Sequence, residues 1–184
     1  MKRLMDIVLA GLALLLLSPV LLATAAAIVL DTGRPVFFRQ TRVGRGGQTF
    51  GMYKFRSMVV NAAAVGPFYT ASDDPRITRA GRVIRRASLD ELPQLINVLR
   101  GDMSLVGPRP DVPAQRSLYS DQDWSLRCSV RPGITGLAQA LLRSQATEDE
   151  RRALDLRYVR EHGVWLDLKI LAWTLGRITG RGSN

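Results

Sequence analysis

The feature that most limits what this chain can fold into is an uncharged, mostly aliphatic run over residues 7–30, flanked by Asp6 and Asp31. At a rise of about 1.5 Å per residue, a helix of this length is long enough to cross a hydrocarbon core of roughly 30 Å. Ser18 and Pro19 lie near its middle. Proline removes a backbone donor and clashes with the preceding turn, and a serine hydroxyl can bond back to a carbonyl. The run therefore predicts a membrane helix that is kinked at this dipeptide.

Three interpretations of this run stay open from the residues alone. The basic start at Lys2 and Arg3 and the small residues 23–25 suit a secretory signal peptide, but the run is long and Asp6 intrudes on the basic region. A transmembrane span would leave the basic remainder of the chain in the cytoplasm. A sharper kink would return the helix to the leaflet that it entered. Proline is common enough in membrane spans for the residues alone to favour a kinked span slightly.

The charge balance indicates an anionic partner. The 184 residues have room for one domain, or for a small domain plus a membrane element, and the hydrophobic fraction of 46% is ordinary. The formal net charge of +10 favours nucleic acid, a phosphorylated substrate or anionic lipid as the partner. We expect no nucleic acid, because no helix-turn-helix or zinc pattern stands out and the N-terminal region is apolar. The single Cys128 excludes an internal disulfide, and the single His162 excludes a multi-histidine zinc centre.

A second informative feature is the adjacent carboxylate pair Asp90 and Glu91, which comes a few residues after Arg85 and is followed by Arg109 between two prolines. Carboxylates can act as nucleophile, base or Mg²⁺ ligand, and arginine side chains bind phosphate oxygens bidentately. The combination suits a site that handles phosphate and metal. An ordinary solvated helix with salt bridges is the alternative, and the residues alone favour it.

The apolar spacing over residues 82–100 is that of an amphipathic helix, interrupted by Pro93. Ser88 and Glu91 have the spacing of a capping box, and proline is best tolerated in the first turn of a helix. We therefore predict that one helix ends near Arg86 and that a second begins at Ser88. Asp90 and Glu91 would then lie in the first turn of the second helix, where backbone N–H groups favour anions.

The rest of the chain gives a coarse pattern of short strands, loops and helices. Two extended segments, residues 35–40 and 48–55, flank a glycine-rich turn that predicts a hairpin rather than a phosphate loop. Glycine and proline predict loops or turns at residues 61–80, 107–110 and 131–136. Helices are predicted at residues 148–160 and 164–178. The tryptophans of the last helix suit a membrane surface and a packed core about equally.

Four motifs occur in one order in this chain: Lys-Phe-Arg-Ser-Met at residues 54–58, Ser-Leu-Asp-Glu-Leu-Pro-Gln-Leu at 88–95, Gly-Asp-Met-Ser-Leu-Val-Gly-Pro-Arg-Pro at 101–110, and Arg-Pro-Gly-Ile-Thr-Gly at 131–136. Together with the apolar N-terminal run, they resemble the bacterial sugar transferases known as monotopic phosphoglycosyl transferases. The match extends from about Lys2 to residues 167–169, which is nearly the whole chain.

The resemblance implies a helix-rich α/β fold at the cytoplasmic face of the bacterial inner membrane. Residues 1–31 would form a re-entrant helix, kinked at Ser18 and Pro19, with both ends cytoplasmic. Residues 32–184 would form a small catalytic domain, continuous with this anchor, with a short β-hairpin and amphipathic helices on the membrane surface. Inner-membrane lipid would be one partner, and a homodimer is possible.

The resemblance also implies a reaction. Members transfer a sugar 1-phosphate from a UDP-sugar to undecaprenyl phosphate, and UMP leaves. This is the first membrane step in building glycoconjugates such as O-antigen, capsule, exopolysaccharide or glycoprotein. By similarity, Asp90 would be the nucleophile that forms a covalent phosphoglycosyl-aspartate. Glu91 would orient or deprotonate the incoming partner, and Asp90 and Glu91 would hold Mg²⁺.

Basic residues would bind the phosphates or the nucleotide by the same resemblance: Arg85, Arg109, Arg131, Lys54 and Arg56. Where relatives commonly have Gly-Trp-Ala-Gln-Val-Asn-Gly-Arg, this chain has Gly-Leu-Ala-Gln-Ala-Leu-Leu-Arg at residues 136–143. This departure leaves the sugar unassigned. The alternative function is that of a non-catalytic, membrane-tethered protein that binds anionic lipid or glycan intermediates.

Overall fold

The computed structural model describes residues 1–62, 74–142 and 147–178. Its helices are α1 (Lys2–Leu16), α2 (Ser18–Thr32), α3 (Arg79–Arg86), α4 (Gln94–Arg100), α5 (Asp121–Arg127), α6 (Leu137–Leu141), α7 (Glu148–Glu161) and α8 (Val164–Ile178). Its strands are β1 (Phe37–Val43), β2 (Thr49–Phe55), β3 (Ser104–Val106) and β4 (Gly133–Thr135). Short 3₁₀ turns cover Arg45–Gly47, Leu89–Glu91 and Pro113–Leu118. The predicted helix-rich α/β class is confirmed.

The N-terminal apolar run forms two helices that meet at an angle of 61°. Ser18 donates a hydrogen bond of 2.8 Å to the Leu15 carbonyl, and Pro19 lies in the first turn of α2, where its missing N–H costs least. The bend thus lies at the dipeptide that the sequence indicated. Among the described residues, no single helix is both long and apolar enough to cross a membrane, although α1 and α2 together are.

The start of α1 is bonded to the rest of the molecule. The Lys2 ammonium donates to the buried Asp167 carboxylate of α8 at 2.5 Å. One turn later, the buried Asp6 carboxylate accepts hydrogen bonds from the Ser104 hydroxyl and the Leu105 N–H of β3. Buried carboxylates need such partners, because an unpaired one is costly to remove from water. These polar contacts fix the first turns of α1 against the last helix and the central strand.

The end of α2 is bonded to the same body. The buried Arg56, just after β2, donates to the Thr32 and Gly33 carbonyls, which are left without partners where the helix ends. Asp31 accepts a hydrogen bond from the Ala80 N–H at the start of α3. Both ends of the bent pair are therefore attached to the part of the chain that follows it.

The predicted hairpin is present and sets the position of the site. β1 and β2 pair antiparallel from Phe37 opposite Phe55 to Val43 opposite Thr49. Its connection contains Gly46 and Gly47, both with positive φ, as glycine allows. β1 runs three residues beyond the predicted segment because pairing with β2 continues to the turn.

The prediction of a simple turn at residues 131–136 was wrong. Part of this segment is β4, which pairs parallel with β3, placing Gly133 opposite Ser104. The two backbones pass so closely that a Cβ on Gly133 would lie 2.1 Å from the Gly107 nitrogen. The glycines in this segment permit close packing of two backbones, whereas the sequence pattern suggested only a turn.

Helices α7 and α8 are confirmed within a residue of their predicted bounds. On α8, Asp167 and Ile170 are fully buried, whereas Trp165 is 80% exposed and Trp173 is 42% exposed. Packing into the core thus accounts for one face of this helix, and the two tryptophans lie exposed on the rest of its surface. Of the predicted loop at residues 61–80, residues 63–73 lie outside the described part, and α3 already begins at Arg79.

The apolar core includes residues of the bent pair. Ala10 of α1 packs with Met52, Val98 and neighbouring core residues, and Ile28 of α2 packs with Phe55 and Ile84. A further cluster joins β3 to the C-terminal helices through Val106, Leu137, Ala140, Tyr158, Val159 and Ile170. The bent pair is therefore packed into the molecule along one side, while the aliphatic residues on its other side are exposed.

Candidate active site

The carboxylate pair lies on a 3₁₀ turn between two helices. α3 ends at Arg86, as predicted, but the next helix begins at Gln94 and not at Ser88. Ser88 has a left-handed backbone with φ of 54° and makes no capping hydrogen bond, so the predicted capping box is wrong. Its backbone N–H bonds the Arg85 carbonyl, which reverses the chain at the end of α3. The turn Leu89–Glu91 then presents both carboxylates ahead of α4.

Glu91 is held by two cations. One of its oxygens, Oε1, accepts a hydrogen bond of 3.1 Å from the Lys54 ammonium of β2 and one of 2.6 Å from the Arg109 guanidinium. Burial raises the pKa of Glu91, but Arg109 and Lys54 outweigh it and hold this pKa at about 2. Opposite charges close to a carboxyl stabilise its ionised form. Glu91 therefore stays ionised at any physiological pH.

Asp90 has different surroundings from its neighbour. Burial and the adjacent Glu91 raise the pKa of Asp90, while Lys54 and Arg85 lower it. Among the described residues, no side chain donates a hydrogen bond to the Asp90 carboxylate. Within the described part of the chain, one carboxylate of the pair is thus held by two cations and the other accepts no side-chain hydrogen bond. Both carboxylates are also partly buried on a 3₁₀ turn, which is not expected of a solvated helix with salt bridges.

The structure brings three of the five predicted basic residues to this pair. Lys54 and Arg109 donate hydrogen bonds to Glu91. Arg85, in the last turn of α3, lies close enough to lower the pKa of Asp90. The described contacts of the other two are elsewhere. Arg131 donates to the Gly101 carbonyl at the far end of α4, and Arg56 is bonded to the end of α2. We leave these two out of the candidate site.

Arg42 belongs to the site although the sequence did not indicate it. Its guanidinium donates to the Pro110 carbonyl at 2.9 Å, in the same loop as Arg109. Burial and the nearby Arg109 lower the pKa of Arg42 to about 10, although Asp111 and Glu91 oppose this. Two guanidiniums held so close together favour an anion between or beside them. No motif marks Arg42 in an arginine-rich chain, so only the folded strand reveals it.

A cavity of about 410 Å³ lies next to Arg109, although neither carboxylate of the pair is among the residues that line it. Arg109 forms part of its wall, so the cavity and the Glu91 clamp share one side chain. Most of the residues that line it are charged or polar, and they come from β1, the loop after β3, α5, α6 and α7. The residues that line it include Arg42, Asp111, Tyr119, Arg127, Gln139 and Asp155. A space of this size is in the range of small-molecule sites.

The carboxylate pair would hold a magnesium ion only together with further ligands from outside the chain. Within residues 1–62, 74–142 and 147–178, no group of three or more acidic, histidine or cysteine residues is arranged to hold a metal. Mg²⁺ needs no such group, because it is commonly bound by one or two carboxylates together with substrate phosphates and water. Asp90 is the freer ligand, since two cations already bind one oxygen of Glu91.

Comparison with known proteins defines the class. The family model for bacterial sugar transferases matches residues 1–181, so the chain belongs to the bacterial sugar transferase family. The resemblance drawn from the four motifs is thereby confirmed.

Three relatives show how similar this chain is to named proteins. It is 46% identical over 182 residues to the UDP-glucose:undecaprenyl-phosphate glucose-1-phosphate transferase of Escherichia coli K12, covering 95% of this chain and 39% of that protein. It is 44% identical over 181 residues to a protein of the same name from Caulobacter vibrioides, covering 95% and 68%. It is 44% identical over 192 residues to the UDP-N-acetylgalactosamine-undecaprenyl-phosphate N-acetylgalactosaminephosphotransferase of Aeromonas hydrophila, covering 100% and 45%. The chain thus spans less than half the length of two of these relatives.

Proposed function

We propose that this protein transfers a sugar 1-phosphate from a UDP-sugar to undecaprenyl phosphate, giving undecaprenyl diphosphate sugar and UMP. The observation that carries the proposal is the unequal carboxylate pair, in which Lys54 and Arg109 hold Glu91 while no side chain of the described residues donates to Asp90. The relatives named above support it, because they are named for this type of reaction with glucose or N-acetylgalactosamine. The sugar stays unassigned, because residues 136–143 depart from the family pattern.

In the first step, a carboxylate oxygen of Asp90 attacks the phosphorus that carries the sugar. An O–P bond forms, and the bond from that phosphorus to the bridging oxygen breaks, so UMP leaves with the bridging oxygen and its electron pair. In the second step, a phosphate oxygen of undecaprenyl phosphate attacks the same phosphorus and releases Asp90. A covalent intermediate divides one difficult displacement into two easier ones.

The cations around the pair reduce the repulsion that this chemistry faces. An anionic nucleophile that approaches a diphosphate is strongly repelled unless fixed positive charges lie nearby. Arg109, Arg42 and Arg85 provide such charges on two sides of the turn. When bound by Asp90 with Glu91, Mg²⁺ would supply further positive charge against the leaving UMP.

Glu91 acts in this proposal by position. With a pKa of about 2 it is a very weak base. Undecaprenyl phosphate needs no general base to attack, since a phosphate monoester is already ionised at neutral pH. Glu91 instead holds Lys54 and Arg109 together, so that both face the place where the diphosphate would lie. The cavity beside Arg109 leaves room for part of the donor.

We also propose that the bent pair enters and leaves the membrane on the same side. A spanning arrangement would separate the outer ends of α1 and α2 by the bilayer, whose hydrocarbon core is roughly 30 Å thick. Both ends are instead bonded to the body that carries the site, through Lys2 and Asp6 at one end and Arg56 at the other. Exposed aliphatic residues near the bend, such as Leu15, Leu16 and Leu22, suit contact with lipid.

UMP release tests the transferase proposal. Purified protein in nanodiscs would be given Mg²⁺, undecaprenyl phosphate and a panel of UDP-sugars, with Asp90→Asn as the matched variant. We expect release from one or a few sugars by the wild type, and a loss of at least about 10³-fold in Asp90→Asn, as for loss of a nucleophile. Equal release by Asp90→Asn would contradict the nucleophile assignment. No release with any sugar would favour a binding protein without catalytic activity.

A further inference from the structure

Arg127, the last residue of α5, is a buried arginine outside the carboxylate pair. Its side chain is 5% exposed. Its Nη2 donates to the Arg109 carbonyl at 2.6 Å and to Asp155 of α7 at 3.1 Å, and lies 3.2 Å from an oxygen of Asp111. α5, α7 and the loop that carries both Arg109 and Asp111 therefore meet at one nitrogen.

The two carboxylates make it possible to bury this guanidinium. Asp155 and Asp111 are both buried. Burial raises the pKa of Asp155 to about 7 and also raises that of Asp111, while Arg127 opposes both shifts. Without Arg127, two buried carboxyl groups would lie close together with no cation between them. Removing one member of such a cluster is far more costly than its net contribution to stability.

The cluster is not arranged for the greatest stability. The Nε of Arg127 and the Oδ1 of Asp155 are buried without a hydrogen-bond partner in the described part of the chain. Replacing a buried ionic cluster by apolar side chains is often neutral or stabilising, so a buried cluster with unsatisfied atoms points to a role other than stability.

That role follows from the atom to which Arg127 donates. The backbone of Arg109 accepts from Arg127, and the side chain of Arg109 donates to Glu91 at 2.6 Å. Pro108 and Pro110 restrict the backbone on both sides, so fixing the carbonyl also fixes the direction in which the Cα–Cβ bond of Arg109 leaves the backbone. We propose that Arg127, paired with Asp155 and Asp111, is a positioning residue that holds the Arg109 loop so that Arg109 reaches Glu91.

The structural part of this proposal can be tested without any activity. Hydrogen exchange would be followed by mass spectrometry in peptides covering residues 107–118, in wild type and in Arg127→Lys. Lysine keeps the charge, but its side chain is one bond shorter, so its nitrogen falls short of the position of Nη2 that contacts the three oxygens. We expect faster exchange in this segment for Arg127→Lys. Arg56→Lys is the matched control, because Arg56 is also buried and donates to carbonyls, but at the end of α2. Unchanged exchange at residues 107–118 in Arg127→Lys overturns the proposal.

The catalytic part rests on the function proposed above and is tested by a double-mutant cycle on UMP release. We expect Arg127→Lys to lower kcat/KM about 10- to 100-fold in the wild-type background, a size typical of misplacing a catalytic group. In an Arg109→Lys background the same change should cost less than about twofold, because Arg127 acts through Arg109. Equal losses in both backgrounds overturn the positioning role. The control change Arg56→Lys should lower kcat/KM by the same factor in the wild-type and Arg109→Lys backgrounds.

Two safeguards keep the outcomes distinct. If Arg127→Lys does not fold, Asp155→Asn replaces it in both experiments, since it removes the ion pair and keeps the side-chain shape. We expect the same faster exchange and the same non-additivity with Arg109→Lys. If the wild type releases no UMP from any UDP-sugar, the proposed function fails, while the exchange result still decides whether Arg127 holds the loop.

Discussion

At the scale of single residues, Asp90 and Glu91 are neighbours in sequence whose surroundings push their pKa values in opposite directions. The raised pKa of Asp90 stems mainly from burial, and the low pKa of Glu91 comes from Arg109 and Lys54. When two adjacent acids are separated in this way, they are suited to different roles. Asp90 becomes the group that can gain and lose charge, and Glu91 becomes a fixed anion that organises cations.

This separation predicts a pH dependence. Asp90 must be ionised to attack, so activity is lost as the pH falls through its pKa, which lies above the ordinary value of about 3.9. Lys54 lowers this pKa, so Lys54→Met should move the acid limb of kcat/KM to higher pH. It should also reduce kcat/KM at neutral pH by about tenfold or more, since it removes a cation near the developing charge. The measurement is UMP release between about pH 4 and pH 8.

Two matched variants make this test specific. Lys54→Arg keeps the positive charge and should leave the acid limb where it is in the wild type. Glu91→Gln removes the carboxylate that raises the pKa of Asp90, so its limb should move to lower pH. If the limb lies at the same pH in all four proteins, another group controls the ionisation.

At the scale of elements, a charged segment with a few apolar residues predicted α7 and an apolar run with tryptophans predicted α8. The glycine-rich turn between two extended segments predicted the β1–β2 hairpin. The 3₁₀ turn at Leu89–Glu91 was missed, because Ser88 and Glu91 have the spacing of a capping box and only the left-handed backbone of Ser88 distinguishes the two. Strand β4 was missed because a three-residue strand has no detectable period and its glycines suggest a turn.

The sequence likewise identifies only some of the residues of the candidate site. Asp90, Glu91, Lys54 and Arg109 lie in the motifs, and Arg85 comes shortly before the pair in sequence. These five residues meet in the structure. Arg42 and Arg127 come from segments far apart in sequence and from a chain rich in arginine. Their position depends on which backbone carbonyls lie nearby, and no local pattern encodes that.

The close crossing of β3 and β4 predicts that Gly133 cannot carry a side chain. A Cβ there would lie 2.1 Å from the Gly107 nitrogen and 2.3 Å from the Thr135 carbonyl oxygen, and both are backbone atoms that cannot move aside easily. We expect Gly133→Ala to lower the free energy of unfolding by about 1–3 kcal/mol, the usual cost of overpacking. Thermal or denaturant unfolding in detergent measures it.

Gly163→Ala is the matched control for this change. It makes the same chemical substitution at the connection between α7 and α8, where a Cβ would meet nothing within 4 Å. We expect a change within about 0.5 kcal/mol, as for most surface substitutions. An equal effect of the two substitutions would mean that the tight crossing of the backbones does not limit Gly133.

At the scale of the whole molecule, the bent pair and the site belong to one packed body. Ala10 and Ile28 of the pair are buried in the same clusters as residues of β2, α3 and α4. The Lys2–Asp167 ion pair joins the first helix to the last. A rearrangement that moved α1 across a bilayer would break these contacts, separating Asp6 from its partners on β3 and Lys2 from the buried Asp167. The site is thereby held at a fixed depth relative to the apolar pair.

Membrane topology is the prediction that belongs to this scale. Cys128 is the only cysteine, so a Cys128→Ser chain accepts single cysteines for labelling. Leu4→Cys in α1 and Arg34→Cys after α2 place exposed thiols near the two ends of the pair, and Ala153→Cys on α7 marks the body with the site. With a membrane-impermeant maleimide, all three should react in inside-out vesicles and none in right-side-out vesicles. If Leu4→Cys and Arg34→Cys react from opposite sides, the pair spans the membrane and the re-entrant proposal is wrong. If both react from the side opposite to Ala153→Cys, the attachment of both helix ends to the body is wrong.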